Sequence, residues 1–278
     1  MKDLHGRAAV LTGAGSGIGR ALAVRLAAEG MRLVLADVES EALAETAALL
    51  PGEVYTVVTD VSDATSVDAL AAVAAERVGD VHLLVNNAGV MSGAGPIWES
   101  TIADWEWLLG VNLMGIVHGI RAFVPGMLAH GQEAHIVNTS SMTGLVTFGS
   151  GGPYGASKHA AVALSELLSL ELQQCQASIG VSLLCPAWVQ TRILDARRNL
   201  PTDLLSTASA DLPLEVRQAL SADMAETGLT PEAVAEDVLE AIRSDRFYIL
   251  PNPGWTNAIT DRATAIVRGT APTPPLPS

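Results

Sequence analysis

Short apolar runs rich in Val and Leu alternate along this chain with longer Ala/Leu-rich segments whose apolar residues recur at helical spacing. Repeated strand and crossover-helix units have this pattern, and they assemble into a parallel sheet. The runs place strands near Ala8 to Leu11, Arg32 to Ala36, Val54 to Val58, Leu83 to Val85, His135 to Thr139, Val181 to Leu184 and Phe247 to Leu250. Helices are expected over Ile18 to Ala28, Ser40 to Leu49, Ala64 to Val78, Ala103 to His130, Tyr154 to Gln174 and Pro231 to Arg243. Right-handed crossovers put these helices on both faces, giving a Rossmann-type, doubly wound α/β fold with seven parallel strands. No Pro/Ser-rich linker interrupts residues 1–268, so they read as a single domain, and the Pro-rich stretch within 269–278 has the composition of a disordered tail.

Charge narrows the partners. A net charge of -14 and a pI near 4.7 argue against nucleic acid and against an anionic membrane surface, both of which need a basic patch. The first residues carry no apolar signal core, and the apolar stretch Trp107 to Ile120 is too short and polar to span a bilayer, which points to a cytoplasmic protein. Cys175 and Cys185 form no disulfide framework and read as small buried hydrophobes. The six histidines make no set at metal-binding spacing, and no metal is expected. Trp98, Trp105 and Trp107 suit a packing surface better than a substrate cage.

The first strand runs into Thr12-Gly13-Ala14-Gly15-Ser16-Gly17-Ile18-Gly19 and then a helix, where unpaired amides face an anion. A flexible turn would look similar, but the context favours a pyrophosphate site built on Gly13-x-x-x-Gly17-x-Gly19. Asp37 ends the second strand eighteen residues after Gly19, close to the ~20 expected for a carboxylate that bonds adenosine ribose hydroxyls. Such a carboxylate repels a 2′-phosphate, and neither Ala14 to Ile18 nor the residues just after Asp37 include Arg or Lys. NAD is therefore favoured over NADP. Asp60 and Val61, after the third strand, could meet the adenine ring, although an Asp there is also an ordinary turn residue.

Tyr154-Gly-Ala-Ser-Lys158 puts a phenol and an ammonium one helical turn apart. A fixed cation beside a phenol favours its phenolate, so the pair can make a base, though the same spacing occurs by chance on exposed helices. With these motifs the chain resembles the short-chain dehydrogenase/reductase family over roughly Arg7 to Leu250. Thr12-Gly13-x-x-x-Gly17-x-Gly19 resembles its cofactor loop and Asn86-Asn87-Ala88-Gly89 its sheet-stabilising motif. Asn112 falls where the family has its catalytic asparagine, Ser141 stands thirteen residues before Tyr154, and Pro186 to Thr191 resembles the segment that meets the nicotinamide, with Ala187 replacing the usual glycine.

The resemblance implies an NAD-dependent oxidoreductase that interconverts a secondary alcohol and its ketone. Asn112, Ser141, Tyr154 and Lys158 are its expected catalytic residues. Cofactor contacts are expected from Gly13, Gly15, Ser16, Gly17, Ile18, Gly19, Asp37, Asp60, Val61, Asn87, Ala88, Gly89, Tyr154, Lys158, Pro186, Val189 and Thr191. Removal of a carbinol proton needs a base and a donor on the oxygen, which suit Tyr154 and Ser141. Lys158 would lower the phenol's pKa and hold ribose hydroxyls, while the main-chain carbonyl of Asn112 would anchor a proton relay; Asn112 could equally stabilise a buried helix kink. Asn86 could cap neighbouring backbone or belong to a simple turn. Ser140 competes with Ser141, and the thirteen-residue interval selects Ser141.

Substrate choice should lie in Val90 to Pro96, Met142 to Pro153 and a lid insertion at 192–228, read as a mobile helical lid with an apolar face of Leu204, Leu205, Leu212, Leu214, Val216 and Leu220. With Ser141 and Tyr154, the side chains of Met142, Phe148 and Trp188 would line a pocket for a hydrophobic substrate. Two other readings share the motifs: a non-catalytic NAD(P)-binding regulator or scaffold, and a sugar-nucleotide epimerase or dehydratase. Relatives pair their long helices across two-fold axes, so a homo-oligomer, dimer or tetramer, is expected.

Overall fold

The computed structural model describes residues 1–92 and 95–275. Residues 93–94 of the expected pocket segment and 276–278 of the expected tail lie outside the described residues. Seven parallel strands form one sheet: β1 (Ala8–Thr12), β2 (Arg32–Asp37), β3 (Val54–Val58), β4 (Val81–Asn86), β5 (Ala134–Thr139), β6 (Ile179–Leu184) and β7 (Tyr248–Ile249). Their order is β3-β2-β1-β4-β5-β6-β7, so the winding reverses between β1 and β4. In an open parallel sheet, ligands bind at the carboxyl ends of the strands on either side of such a reversal.

The inner strands β1, β2, β4, β5 and β6 bury both faces, as their largely apolar runs require, whereas edge strand β3 is partly exposed. Leu11, Leu33, Leu35 and Val85 pack with Leu22 and Leu26 of α1 (Gly17–Ala28), Leu43 of α2 (Ser40–Ala48) and Val238 of a later helix, Pro231–Ser244. The alternate residues Val10, Val34, Leu84 and Ile136 face α3 (Ala64–Val78) and the helices that carry Phe123 and Leu168. Asp63 caps α3 by accepting from Thr65 N.

The expected single helix from Ala103 to His130 is divided. α4 (Ile102–Leu109), begun by a Thr101/Asp104 capping box, runs into a π-helical turn at Gly110–Met114 and then α5 (Gly115–His130). The cause is a side chain: Asn112 Nδ2 donates to Val90 O (2.9 Å) and Ser157 Oγ (3.1 Å), and its Oδ1 accepts from Val90 N (2.8 Å). Holding that residue against the β4 loop widens the turn, a distortion that recurs at functional sites. The continuous run Ile102–His130 is long and apolar enough to cross a membrane, unlike the shorter stretch considered from sequence; half of its most apolar window is buried inside the fold.

α6 (Gly152–Gln174), α7 (Leu214–Thr227), α8 (Pro231–Ser244) and an unanticipated α9 (Thr256–Arg268) complete the chain. Gly269 takes φ +66° after α9, and residues 271–275 have no regular structure. Cys185 is buried as expected, whereas Cys175, which ends α6, is exposed.

On β5, far from the carboxyl ends, the buried His135 imidazole has Nε2 2.8 Å from Ser182 Oγ, which itself donates to Arg246 O (2.7 Å); Nε2 therefore carries the proton. Nδ1 has no hydrogen-bond partner, and the exposed Asp245 carboxylate is 3.8 Å away. Burial pushes the imidazole from its ordinary 6.5 down to about 3. A depressed folded-state pKa gives stability that is complete above the unfolded value and lost as pH falls towards the folded one. Thermal stability should therefore decline between pH 6.5 and about 3. In His135→Gln, melting followed across this interval should decline less steeply by about one proton's linkage; an unchanged slope would exclude His135 as a contributor.

Candidate active site

At the reversal point, Thr12 joins the two central strands: its Oγ1 accepts from Asn87 N (3.0 Å) and Ala88 N (3.2 Å). The chain then turns at Gly13 with φ +66°, where an added Cβ would come within 2.8 Å of Ala88 Cα. At Gly19 a Cβ would collide with Gly13 O. The loop therefore lies flat on α1 and on the end of β4, and only glycine fits at either position. Asn87 Nδ2 fixes it by donating to Thr12 O (3.2 Å) and Gly13 O (3.3 Å). Capping of backbone, considered for Asn86, thus belongs to Asn87.

Asn86 instead begins a buried chain across the sheet. Its Nδ2 donates to Asn138 Oδ1 (2.9 Å), Asn138 Nδ2 donates to Ser165 Oγ (3.0 Å), and Ser165 Oγ donates to Ala161 O (2.7 Å). Ser140 Oγ donates to Lys158 O (2.8 Å). These bonds hold α6 on the sheet and engage the hydroxyl of Ser140, leaving Ser141 as the serine nearer the cavity surface.

A cavity of about 470 Å³ runs along the strand ends. Gly13, Ser16, Gly17, Ile18, Asp37, Asp60, Val61, Asn87, Ala88 and Gly89 line it, together with Ser141, Tyr154, Lys158, Pro186, Val189 and Thr191. Met142, Phe148 and Trp188 line it too. Three expected site residues do not: Gly15, Gly19 and Asn112 lie behind the lining and shape it. Gly15 N donates to Asp37 Oδ2 (2.8 Å), and Arg20 locks the loop from behind through Gly15 O. Ser16, which caps α1, makes no side-chain cap bond, so the first turn of that helix presents its amides to the cavity. Asp60 Oδ1 accepts from Ser62 N (2.9 Å) and Oγ (2.6 Å), the turn role considered for it.

Lys158 Nζ donates to Thr139 O (3.2 Å) and stands 5.7 Å from the ring centre of Tyr154. Burial pushes this ammonium down to about 8. Burial likewise raises the Tyr154 phenol above its ordinary value, against the opposing effect of hydrogen bonding with Ser141. Desolvation thus sets the direction of the phenol's shift, and Lys158 is not among the groups that lower it. Beneath the pair, burial pushes the Cys185 thiol up to about 12.

Ala187 accommodates the missing glycine. Gln176 and Asp245 are the positive-φ residues other than glycine among the described residues, so Ala187 has ordinary backbone, and its N donates to Asn252 Oδ1 (2.9 Å). The insertion after Thr191 is helical in part, with 3-10 turns over Ile193–Asn199 and then α7. Leu212 and Leu220 reach the cavity, while Leu205, Leu214 and Val216 are exposed, so the expected apolar face is not continuous. Trp107, assigned to packing, is buried against Leu108 and Leu200 and also touches the cavity. Arg192 and Arg198, from the expected insertion, line it, as do Trp255 and Glu39, which fall outside the expected segments; Trp255 meets the Phe148 ring edge-on at 5.5 Å. His159 donates to Gly155 O and lies off this lining. Among the described residues no group of three or more His, Cys, Asp or Glu is arranged to hold a metal.

Fold and site define an α/β enzyme of the dinucleotide-cleft class. The model of the short chain dehydrogenase family matches residues 7–201. A CLA biosynthesis dehydrogenase/reductase of Lactiplantibacillus plantarum is 32% identical over 98% of this chain and 97% of its own. A 1-deoxy-11-beta-hydroxypentalenate dehydrogenase of Streptomyces exfoliatus is 35% identical over 99% and 93%. The crystal structure of a short-chain dehydrogenase/reductase from Burkholderia phymatum in complex with NAD superposes with a TM-score of 0.91, at 45% identity and full coverage of both chains. The chain belongs to the short-chain dehydrogenase family, and it is an oxidoreductase acting on CH-OH groups.

The Asn112 contacts make a direct test. Asn112→Ala strips the buried Val90 N and O of their partners, at about 1–3 kcal/mol for each group. Calorimetry should show the melting temperature falling by about 2–4 °C per kcal/mol lost; an unchanged melting temperature would contradict the assigned role.

Proposed function

We propose that the protein interconverts a hydrophobic secondary alcohol and its ketone with NAD. The observation that carries this reading is the single cavity shared by the Gly13–Gly19 loop, Asp37, Ser141, Tyr154 and Lys158. The cleft suits a dinucleotide on its own geometry. At Gly17 a Cβ would come within 2.9 Å of Thr191 Cγ2, so glycine alone lets the loop pack there, and the α1 amides offer a site for a diphosphate. Asp37 offers a carboxylate for ribose hydroxyls. NAD supplies the hydride acceptor in oxidation and, reduced, the donor in reduction.

The remaining steps belong to the protein. Ser141 donates a hydrogen bond to the substrate oxygen and holds it at the Tyr154 hydroxyl. In oxidation the Tyr154 phenolate takes the carbinol proton; in reduction the phenol returns it. Lys158, whose one hydrogen-bond acceptor among the described residues is Thr139 O, keeps donors for ribose hydroxyls, and the proton passes on towards solvent by a relay at the Asn112 carbonyl. Because burial holds the phenol in its protonated form, it is poised as the acid for ketone reduction at neutral pH. Val90, Met142, Phe148, Trp188, Leu212 and Trp255 give the substrate end its apolar walls. Exposed Leu128 on α5 and Leu167 and Leu170 on α6 support a homo-oligomer paired through these helices.

A screen of aliphatic, alicyclic, aromatic and steroidal secondary alcohols should give substrate-dependent NADH formation, with oxidation rising as the pH is raised and the phenol, held protonated by burial, gives up its proton. Tyr154→Phe should reduce turnover by a factor of about 10² or more while NADH binding, read by fluorescence, persists. Turnover equal to wild type in that variant would sink the mechanism.

A further inference from the structure

The loop that follows Thr191 sends two guanidinium groups back across the cleft, towards the residues that end β2. Glu39, two positions beyond Asp37, accepts at Oε1 from Arg198 Nε (3.0 Å), Arg198 Nη2 (2.6 Å) and Asn199 Nδ2 (2.9 Å). Arg192 Nη1 stands 3.8 Å from Glu39 Oε2. Asp37, Glu39, Arg192 and Arg198 all line the one cavity, although the arginines lie about 160 residues further along the chain. Partial burial pushes the Glu39 carboxyl up, yet the bonds from Arg198 and Asn199 bring it below its ordinary value, so it is ionised at neutral pH.

This arrangement places opposing instructions at one end of the cleft. A carboxylate at the end of β2 repels a 2′-phosphate, whereas a guanidinium is the side chain best suited to bind one through paired charged hydrogen bonds. Arg198 does not depend on Glu39 for its place, since its Nη1 also donates to Arg192 O (3.2 Å) and Asp195 O (2.8 Å). Take away the Glu39 charge and the guanidinium remains at the cleft, no longer neutralised.

On the reading of the cleft as an NAD site, we infer that Glu39 is a second determinant of coenzyme choice: it neutralises Arg192 and Arg198, which would otherwise receive the 2′-phosphate of NADP. Selectivity then rests on two carboxylates acting differently. Asp37 meets the ribose, and Glu39 engages the two cations. Removing Asp37 alone leaves the guanidiniums paired and yields a poor NADP site. Removing both charges leaves Arg198 unpaired at the 2′ position, with Arg192 beside it still 3.6 Å from Asp195 Oδ2.

Equilibrium binding of NADH, NADPH and adenosine 2′,5′-bisphosphate to the wild type, Asp37→Ser, Asp37→Ser/Glu39→Gln and the latter with Arg198→Leu tests this without any substrate. The NADPH-to-NADH affinity ratio of the double variant should exceed that of Asp37→Ser by about ten-fold or more, the effect of one charge-assisted bond gained. Binding of the bisphosphate should rise in parallel, and Arg198→Leu should abolish both gains. A double variant with the same ratio as Asp37→Ser, or a gain that survives Arg198→Leu, would overturn the inference. A residue that merely holds the loop would change NADH and NADPH binding alike. Should Asp37→Ser fail to fold, Glu39→Gln alone carries the test: a several-fold rise in the ratio supports the inference and an unchanged ratio overturns it. Failure of the wild type to bind NADH would instead remove the NAD reading on which this rests.

Discussion

The register of α6 against the sheet is the constraint on which the site depends. Tyr154 and Lys158 can face the cleft together only if this helix neither slides nor rotates, and apolar packing alone tolerates small slips. Directional bonds fix it instead: Asn138 to Ser165, Ser140 to the Lys158 carbonyl, and Asn112 to Ser157. All of these are buried, where an unpaired partner costs about 1–3 kcal/mol. A slipped helix would orphan several groups at once, so the polar network specifies one arrangement. The same network reaches the β4 loop through Asn86 and Asn112, and so ties α6 to the loop that fixes the glycine turn.

Burial gives precision and opposes ionisation. Both members of the Tyr154/Lys158 pair are pushed towards their neutral forms, the phenol upward and the ammonium down to about 8. At neutral pH the phenol therefore keeps its proton, and both groups stand closer to neutral than they would in water. The adenosine end shows the reverse balance. There Glu39 lies nearer to water, and the hydrogen bonds it accepts from Arg198 and Asn199 outweigh desolvation and keep its carboxyl ionised.

The parts of the fold that were legible in the sequence are those set by neighbours along the chain. Strand and helix periods, the Gly13, Gly17 and Gly19 spacing and the Tyr154/Lys158 turn are local patterns, and the structure has them within a residue or two. Features made by distant contacts were not legible. The π-helical turn at Asn112 arises from bonds to Val90 and Ser157, and the same composition reads as uninterrupted helix. The exchange of roles between Asn86 and Asn87 depends on which side of β4 each faces. The arginines opposite Glu39 come from a loop about 160 residues away, so the sequence beside Asp37 does not disclose them. The phenol's pKa was read from its charged neighbour, whereas burial, a property of the packed molecule, decides its direction.

A crystal structure of the protein with NADH would test most directly whether these separately built parts serve one reaction. The account predicts the diphosphate on the amides of α1, the adenosine ribose on Asp37, the nicotinamide beside Val189 and Thr191, and its ribose hydroxyls bonded to Lys158, with Tyr154 and Ser141 facing the ring. A nucleotide bound in the cleft with its nicotinamide away from Tyr154 and Ser141, or bound elsewhere, would contradict it.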